Sequence, residues 1–174
     1  TIVRKTFPAL RSSVMRDFMQ ILTEGGNYYE EHHNKSNATY NLFGNLVEFI
    51  STDQPQKLRG RKRNLLYVNE ANEITLEDWR QLLLRTTGVE NGPSIFVDYN
   101  PSDEHHWLYE HVLEREDVDF FQTTYLDNPF LEQSVIDEIE RFKETDENFW
   151  RIYGLGERGV NVSAIFPQWQ VADA

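Results

Sequence analysis

A polar pair at the end of a short apolar run is the first place in this sequence where chemistry could occur. Asn69 and Glu70 directly follow the stretch Leu65–Val68. Four apolar residues are too few for a typical helix, so the stretch predicts a buried strand. Ligands bind at the carboxyl ends of strands in open α/β sheets. In a nucleotide-hydrolysing fold, an acid placed there orients the attacking water or supports magnesium. The alternative is that the pair only begins a polar loop.

Other polar and basic side chains also lie next to predicted strands. Asn100 follows the run 94–99 and precedes a proline, so it is either a ligand-sensing amide at a strand tip or a turn residue. A basic stretch, Arg59-Gly60-Arg61-Lys62-Arg63, precedes the central apolar run. Arg4 and Lys5 lie near the start of the chain. These cations either face phosphate groups or are ordinary solvated side chains.

Alternation of strands with helices would position these residues. Strands are predicted at Thr1–Thr6, Tyr40–Phe43, Leu46–Ile50, Leu65–Val68, Ser94–Tyr99 and Val118–Tyr125, with a hairpin turn at Gly44-Asn45. Apolar spacings of three and four predict one helix through Leu10 to Leu22 and later helices after Thr75, around Trp107–Val112 and through Leu131–Phe142. The order predicts the α/β class, a three-layer sandwich with a largely parallel sheet.

Composition narrows the class of protein. A chain of 174 residues, 39% of them hydrophobic, supports one globular domain with a sizeable core. The formal net charge of −12 disfavours non-specific nucleic-acid affinity over the whole surface, so contact with a polyanion must be local. The absence of cysteine excludes disulfides and thiolate metal sites. No apolar stretch approaches the roughly 20 residues of a membrane span, and we expect a cytosolic protein.

The sequence resembles the large terminase subunit of tailed bacteriophages over nearly its whole length. Four motifs in the family's order carry the resemblance: Arg4-Lys5-Thr6 through Leu10-Arg11 and Ser13, then Gln56–Gly60, then Asn69-Glu70-Ala71, then Asn100-Pro101-Ser102 with Trp107. The resemblance implies a P-loop NTPase domain of the ASCE type with ATP and Mg²⁺ as cofactors. It also implies that the apolar strand and its polar pair are the Walker B segment.

The same resemblance implies roles for individual residues. Glu70 matches the catalytic carboxylate that orients water, and Asn69 matches an acid that supports magnesium, so both are candidate metal-site residues. Asn69 keeps an oxygen but carries no charge. Asn100 matches the coupling segment that senses the γ-phosphate, and Arg4 is a candidate for the nucleotide site. Arg59 matches an arginine proposed to reach a neighbouring subunit's nucleotide, with Arg61 and Arg63 as alternatives.

A phosphate-binding loop is missing from the sequence. The pattern G-x-x-x-x-G-K-[ST], whose amides and lysine hold the phosphates, does not occur in the 174 residues. In the family that loop lies upstream of the strand that matches Thr1–Thr6. We therefore expect residues 1–158 to be an ATPase domain, incomplete at its N-terminus, that lacks its first strand and P-loop. We expect residues 159–174 to be a linker or the start of a nuclease domain.

The resemblance implies a packaging motor in the cytoplasm of a bacterial host. Its ATPase couples hydrolysis to translocation of viral DNA into the procapsid. The expected partners are double-stranded DNA, other large subunits in a ring, the small terminase subunit and the portal protein, with no membrane. The alternative is a non-catalytic interaction fragment that binds other motor subunits or the portal.

Overall fold

The chain divides into two compact units between Tyr99 and Asn100. A computed structural model describes residues 1–58, 62–87 and 92–159. The first unit, Thr1–Tyr99, contains the sheet, and the regular structure described in the second unit is helical. None of the described helices has the length and apolarity needed to cross a bilayer.

The first unit is built on a mixed sheet of six strands in the order β2-β3-β4-β1-β5-β6. The strands are β1 (Ile2–Arg4), β2 (His33–Asn34), β3 (Thr39–Leu42), β4 (Asn45–Ser51), β5 (Leu65–Val68) and β6 (Ser94–Val97). Strands β4, β1, β5 and β6 are parallel, and β3 is antiparallel to both β2 and β4. The predicted α/β class with a largely parallel sheet is confirmed. The carboxyl ends of four neighbouring strands therefore meet at one edge.

Two helices follow β1 where the hydrophobic spacing predicts one. Helix α1 (Phe7–Ser12) begins after the N-cap Thr6, and helix α2 (Val14–Glu24) begins after Ser13, whose backbone leaves the helical region. The Ser13 hydroxyl donates to the carbonyl of Ala9 at 2.8 Å and accepts from Arg4 Nη1 at 2.7 Å. Side-chain hydrogen bonds of this kind compete with the helical ladder. The interruption between α1 and α2 therefore lies at Ser13, the residue that is hydrogen-bonded to Arg4 at the end of β1.

The two helices cover one face of the sheet. Leu10 of α1 and Met15 of α2 pack with Phe49 of β4 in a buried apolar cluster. Phe18 meets the Phe49 ring edge-on, with 5.3 Å between the ring centres. Apolar burial at this contact stabilises the fold and holds the two helices against the sheet. Ile21, which the spacing places on the same apolar face, is instead 68% exposed.

The β3–β4 hairpin turns one residue earlier than predicted. Leu42 pairs with Asn45, so the two turn residues are Phe43 and Gly44. Both have positive φ, 50° and 81°. Two consecutive left-handed residues are the geometry of a two-residue hairpin turn, in which glycine carries no steric cost. The sequence pattern identified the glycine but not the left-handed phenylalanine before it.

Helices also connect the parallel strands. Helix α3 (Pro55–Leu58) follows β4, and helix α4 (Leu76–Leu84) follows β5. The predicted start of α4 is confirmed, because the Thr75 hydroxyl accepts from the backbone N–H of Asp78 at 3.1 Å. Such an N-cap is worth about 1 kcal/mol. Trp79 and Leu82 form the buried side of α4.

Residues 100–159, the described part of the second unit, form one longer helix, a short helix and single turns. Helix α5 (Gln133–Thr145) is followed by α6 (Glu147–Phe149), and five-residue π-helices occur at Tyr109–Leu113 and Trp150–Gly154. The predicted strand at 118–125 is wrong. Residues 118–124 form no regular element, and a 3₁₀ turn begins at Tyr125. Phe121 is 83% exposed, so the apolar run that predicted a strand does not lie in a buried sheet.

Candidate functional site

The sheet register brings two polar side chains together at the ends of β5 and β6. Val68 pairs with Val97, so the residues that follow, Asn69 and Asp98, stand side by side at the carboxyl edge. The backbone N–H of Asp98 donates to the Val68 carbonyl at 3.1 Å, and that of Asn69 donates to the Val3 carbonyl at 2.9 Å. The strand ladder thus extends one residue beyond each strand. Strands β1, β5 and β6 fix the positions of these tips.

The Asp98 carboxylate accepts hydrogen bonds from three different groups. Asn69 Nδ2 lies 3.1 Å from Oδ1 and 3.2 Å from Oδ2. The backbone N–H of Glu70 donates to Oδ1 at 2.9 Å, and the Tyr67 hydroxyl donates to Oδ2 at 2.5 Å. Hydrogen bonds to a carboxylate are roughly twice as strong as those between neutral groups. Asp98 therefore ties Tyr67, Asn69 and Glu70 together from the neighbouring strand.

Tyr67 remains a hydrogen-bond donor over a wide pH range. Burial, together with the hydrogen bond to the neighbouring Asp98 carboxylate, raises the pKa of the Tyr67 hydroxyl to about 12. An ionised phenolate next to a carboxylate would be repelled, so the neutral phenol is the favoured form. The hydroxyl therefore keeps donating to Asp98 wherever the protein is near neutral pH.

Glu70 adopts a backbone conformation that few residues with side chains adopt. Its φ and ψ are 54° and 55°, in the left-handed region. A non-glycine residue held there costs about 1–3 kcal/mol and persists only where the surroundings fix it. The surroundings do so here: the Glu70 N–H is bound by the Asp98 side chain, and the next N–H, of Ala71, donates to the Asp98 carbonyl at 2.8 Å. This turn directs the chain into the 3₁₀ turn Ala71–Glu73.

The side-chain oxygen of Asn69 is buried without a hydrogen-bond partner. Its amide orientation follows from chemistry, because only the Nδ2 end can donate to a carboxylate. The Oδ1 atom therefore faces away from Asp98. Leaving such an oxygen unpaired costs about 1–3 kcal/mol, which a cation or a donor at that position would recover. An amide oxygen is a ligand type that magnesium accepts.

Arg4 lies at the same edge, at the end of β1. Its Nη1 donates to Ser13 Oγ at 2.7 Å, and its Nε forms an ion pair with Glu73 Oε2 at 3.6 Å. The guanidinium thus links the junction between α1 and α2 to the 3₁₀ turn that follows Glu70. It carries positive charge to the edge where Asn69 and Glu70 lie.

A family model described as phage terminase large subunit matches residues 1–157. The chain belongs to this family. It is 24% identical over 193 aligned positions to the PBSX phage terminase large subunit of Bacillus subtilis (strain 168), a match that covers 98% of this chain and 45% of that protein. The resemblance stated from the motifs is confirmed.

Solved structures of a large terminase share the fold. The large terminase of a thermophilic bacteriophage superposes with a TM-score of 0.74 at 20% identity, over 91% of this chain and 40% of that one. The complexes of that terminase with ADP and with ATP-gamma-S superpose with TM-scores of 0.72 and 0.73. The chain therefore spans less than half the length of the terminase proteins that it matches.

The terminase residues proposed from the motifs are only partly brought together. Asn69 and Glu70 lie at the end of β5, as predicted, and Arg4 lies at the end of β1, the adjacent strand. Asn100 is the first residue of the second unit. Arg59 and Arg61 lie outside the described residues, so their predicted roles stay predictions.

Arg63, the third arginine of the basic stretch, lies in the interior. It is 5% exposed, and its guanidinium donates to the carbonyls of Leu82 and Leu58 at 3.4 and 3.5 Å. Its backbone N–H donates to the carbonyl of Arg85 at 2.8 Å. Burial lowers the pKa of the Arg63 guanidinium. Arg63 therefore holds the start of β5 against α4.

Asp98 is the site residue that motif reasoning missed. Asp98 lies within the apolar run 94–99, so a strand predicted over that run includes it as a strand residue and not as a site residue. One signal could have found it: a carboxylate at the tip of the strand next to the polar pair, at the position where parallel strands end together. Among residues 1–58, 62–87 and 92–159, no three His, Cys, Asp or Glu side chains group as a metal site.

Proposed function

We propose that this chain is the ATPase region of a phage DNA-packaging terminase, in which ATP hydrolysis drives translocation of viral DNA into the procapsid. One observation carries the proposal: Glu70 is fixed in a left-handed turn at the carboxyl edge of four parallel strands, between the tips of β1 and β6. Family membership supports it, as do the ADP and ATP-gamma-S complexes of the bacteriophage large terminase that has the same fold.

Glu70 is proposed to act on water. Its carboxylate accepts a hydrogen bond from a water molecule and orients that molecule in line with the γ-phosphate. The fixed backbone turn limits the positions that this carboxylate can reach, so less ordering is needed during the reaction. Asn69 is proposed to contribute its unpaired Oδ1, together with the nearby Glu70 carboxylate, to the support of magnesium. When bound, magnesium neutralises charge on the phosphate oxygens.

Three further residues are proposed to serve the same reaction. Arg4 adds positive charge at the nucleotide edge and holds the turn after Glu70 through Glu73. Asn100, the first residue of the second unit, is proposed to sense the γ-phosphate and to move with it. Arg59 is proposed to reach the nucleotide of a neighbouring subunit and stabilise the transferring phosphoryl group.

The proposed partners follow from the family assignment. They are double-stranded DNA, other large subunits arranged in a ring, the small terminase subunit and the portal protein, in the cytoplasm of a bacterial host. The formal charge of −12 favours local rather than general contact with DNA.

The test uses the full-length terminase, because the 174 residues contain no G-x-x-x-x-G-K-[ST] pattern. Wild type is expected to bind ATP in a magnesium-dependent manner and to hydrolyse it. Glu70→Gln is expected to keep nucleotide affinity and to lose roughly 10²- to 10⁴-fold in kcat, the range for a positioned acid–base group. Glu77→Gln is the matched control, since Glu77 lies on the surface of α4 and bonds Gln81.

Two results would contradict the proposal. Hydrolysis by Glu70→Gln at the wild-type rate would remove Glu70 from the reaction. No magnesium-dependent nucleotide binding by the full-length protein would favour the interaction-fragment alternative. The 174-residue chain alone is predicted to show negligible hydrolysis.

A further inference from the structure

Position 69 carries an amide, and a carboxylate lies directly beside it. Asp98 is one strand away, and its two oxygens are 3.1 and 3.2 Å from Asn69 Nδ2. The side chains of Asn69 and Asp98 therefore present one carboxylate, from Asp98, and one amide oxygen, Asn69 Oδ1, that is not hydrogen-bonded to Asp98. In this chain the fixed negative charge lies on the neighbouring strand instead of at position 69.

The same carboxylate also fixes the proposed catalytic glutamate. Asp98 Oδ1 accepts the Glu70 backbone N–H at 2.9 Å, and the Asp98 backbone carbonyl accepts the N–H of Ala71. One residue thus binds two successive backbone amides, one on each side of the left-handed Glu70 Cα. The left-handed backbone conformation of Glu70 persists only because hydrogen bonds of this kind hold it.

From these contacts we infer that Asp98 is a positioning residue for the proposed ATPase reaction. It holds the Asn69 amide so that Oδ1 faces away from the pair, and it holds the Glu70 backbone in the left-handed turn. It also places a carboxylate beside Asn69 from the residue that follows β6. This inference rests on the proposed function and adds a residue that the family motifs described above do not contain.

The inference predicts a specific pattern in variants of the full-length protein. Asp98→Asn removes the charge and sets an amide against three donors, so kcat is expected to fall roughly 10- to 100-fold, with the KM for ATP little changed. The double variant N69D/D98N restores one carboxylate and one amide with their places exchanged. It is expected to recover kcat to within about tenfold of wild type. Asp53→Asn, the same change just beyond the end of β4, is the control.

A measurement without nucleotide tests the same contact. The backbone amide of Glu70 is expected to exchange its hydrogen slowly in wild type and faster in Asp98→Asn, because that amide loses its charged acceptor. In Asp98→Asn, the Asn69 Nδ2 and the Glu70 N–H compete for one amide oxygen. In N69D/D98N, the carboxylate at position 69 accepts from the new amide nitrogen at position 98 and leaves the amide oxygen for the Glu70 N–H, so exchange is expected to be slower than in Asp98→Asn. If Asp98 only stabilised the fold as a whole, Asp98→Asn would speed amide exchange throughout the sheet rather than at this turn alone.

The outcomes separate this inference from the proposed function. If wild type shows no Glu70-dependent hydrolysis, the proposed function fails and the inference fails with it. If wild type shows Glu70-dependent hydrolysis and folded Asp98→Asn has the same kcat as wild type, only the inference about Asp98 is overturned. If Asp98→Asn does not fold, the double variant decides: recovered kcat and slow Glu70 exchange support the inference, whereas a folded double variant without hydrolysis overturns it.

Discussion

The two ends of β5 both contain buried polar groups, but they differ in backbone strain. At the amino end, the Arg63 guanidinium is enclosed and donates to the carbonyls of Leu58 and Leu82, while its Nε has no hydrogen-bond partner. At the carboxyl end, the Asp98 carboxylate accepts hydrogen bonds from three donors. The side-chain oxygen of Asn69 has no partner, and the Glu70 backbone is held in the strained left-handed region. Backbone strain of the kind seen at Glu70 persists mainly at functional sites. We therefore propose that the amino end serves stability and the carboxyl end serves a ligand.

The largest effect on stability is expected at the amino end. Arg63→Ala removes a long buried side chain and its hydrogen bonds to the carbonyls of Leu58 and Leu82, so the free energy of unfolding is expected to fall by about 2–4 kcal/mol. Arg63→Met keeps much of the volume without the charge and is expected to be neutral or stabilising. Denaturant unfolding of the two variants checks this. Equal, large losses for both would show that the charge itself is needed there.

Arg4 lies at the functional edge but has structural bonds, so an intermediate effect is expected. Arg4→Ala removes the bond to Ser13 and the ion pair with Glu73 and is expected to cost about 1–3 kcal/mol. Arg11→Ala, an exposed change on α1, is the control. Thermal unfolding gives the comparison. If the two variants melt at the same temperature, Arg4 does not hold the turn after Glu70.

Tyr67→Phe is expected to have the smallest effect, about 1 kcal/mol, because it removes one hydrogen bond to Asp98. The pKa of Tyr67 is raised from 10.0 to about 12 in the folded protein. A raised pKa means that this contribution is complete below pH 10 and is lost as the pH rises through about 12. Near-ultraviolet titrations of wild type and Tyr67→Phe should differ by one late-ionising tyrosine among eight. A difference centred on the ordinary tyrosine pKa would contradict this.

Local sequence pattern located the candidate site but not the contacts that build it. The apolar run before Asn69 and Glu70 was enough to place both at the end of a strand. Asp98 could not be assigned, because its role depends on the register between β5 and β6, which is a long-range property. The break at Ser13 depends similarly on Arg4 of another element. Arg63 looked like its basic neighbours, since charge pattern alone does not report burial.

Errors elsewhere have a related cause. The run at 118–125 has the aromatic and β-branched content of a strand, yet a strand needs a neighbour with which to pair. In the turn after β3, Phe43 accepts a left-handed conformation that its residue type does not predict.

The division of roles between the ends of β5 is tested most directly by single-turnover ATP hydrolysis in two full-length variants. Glu70→Gln and Arg63→Met are compared with wild type at a temperature where all three are folded. The division predicts that Arg63→Met hydrolyses ATP at the wild-type rate while Glu70→Gln loses roughly 10²- to 10⁴-fold. Loss of hydrolysis in folded Arg63→Met, or its retention in Glu70→Gln, would contradict it.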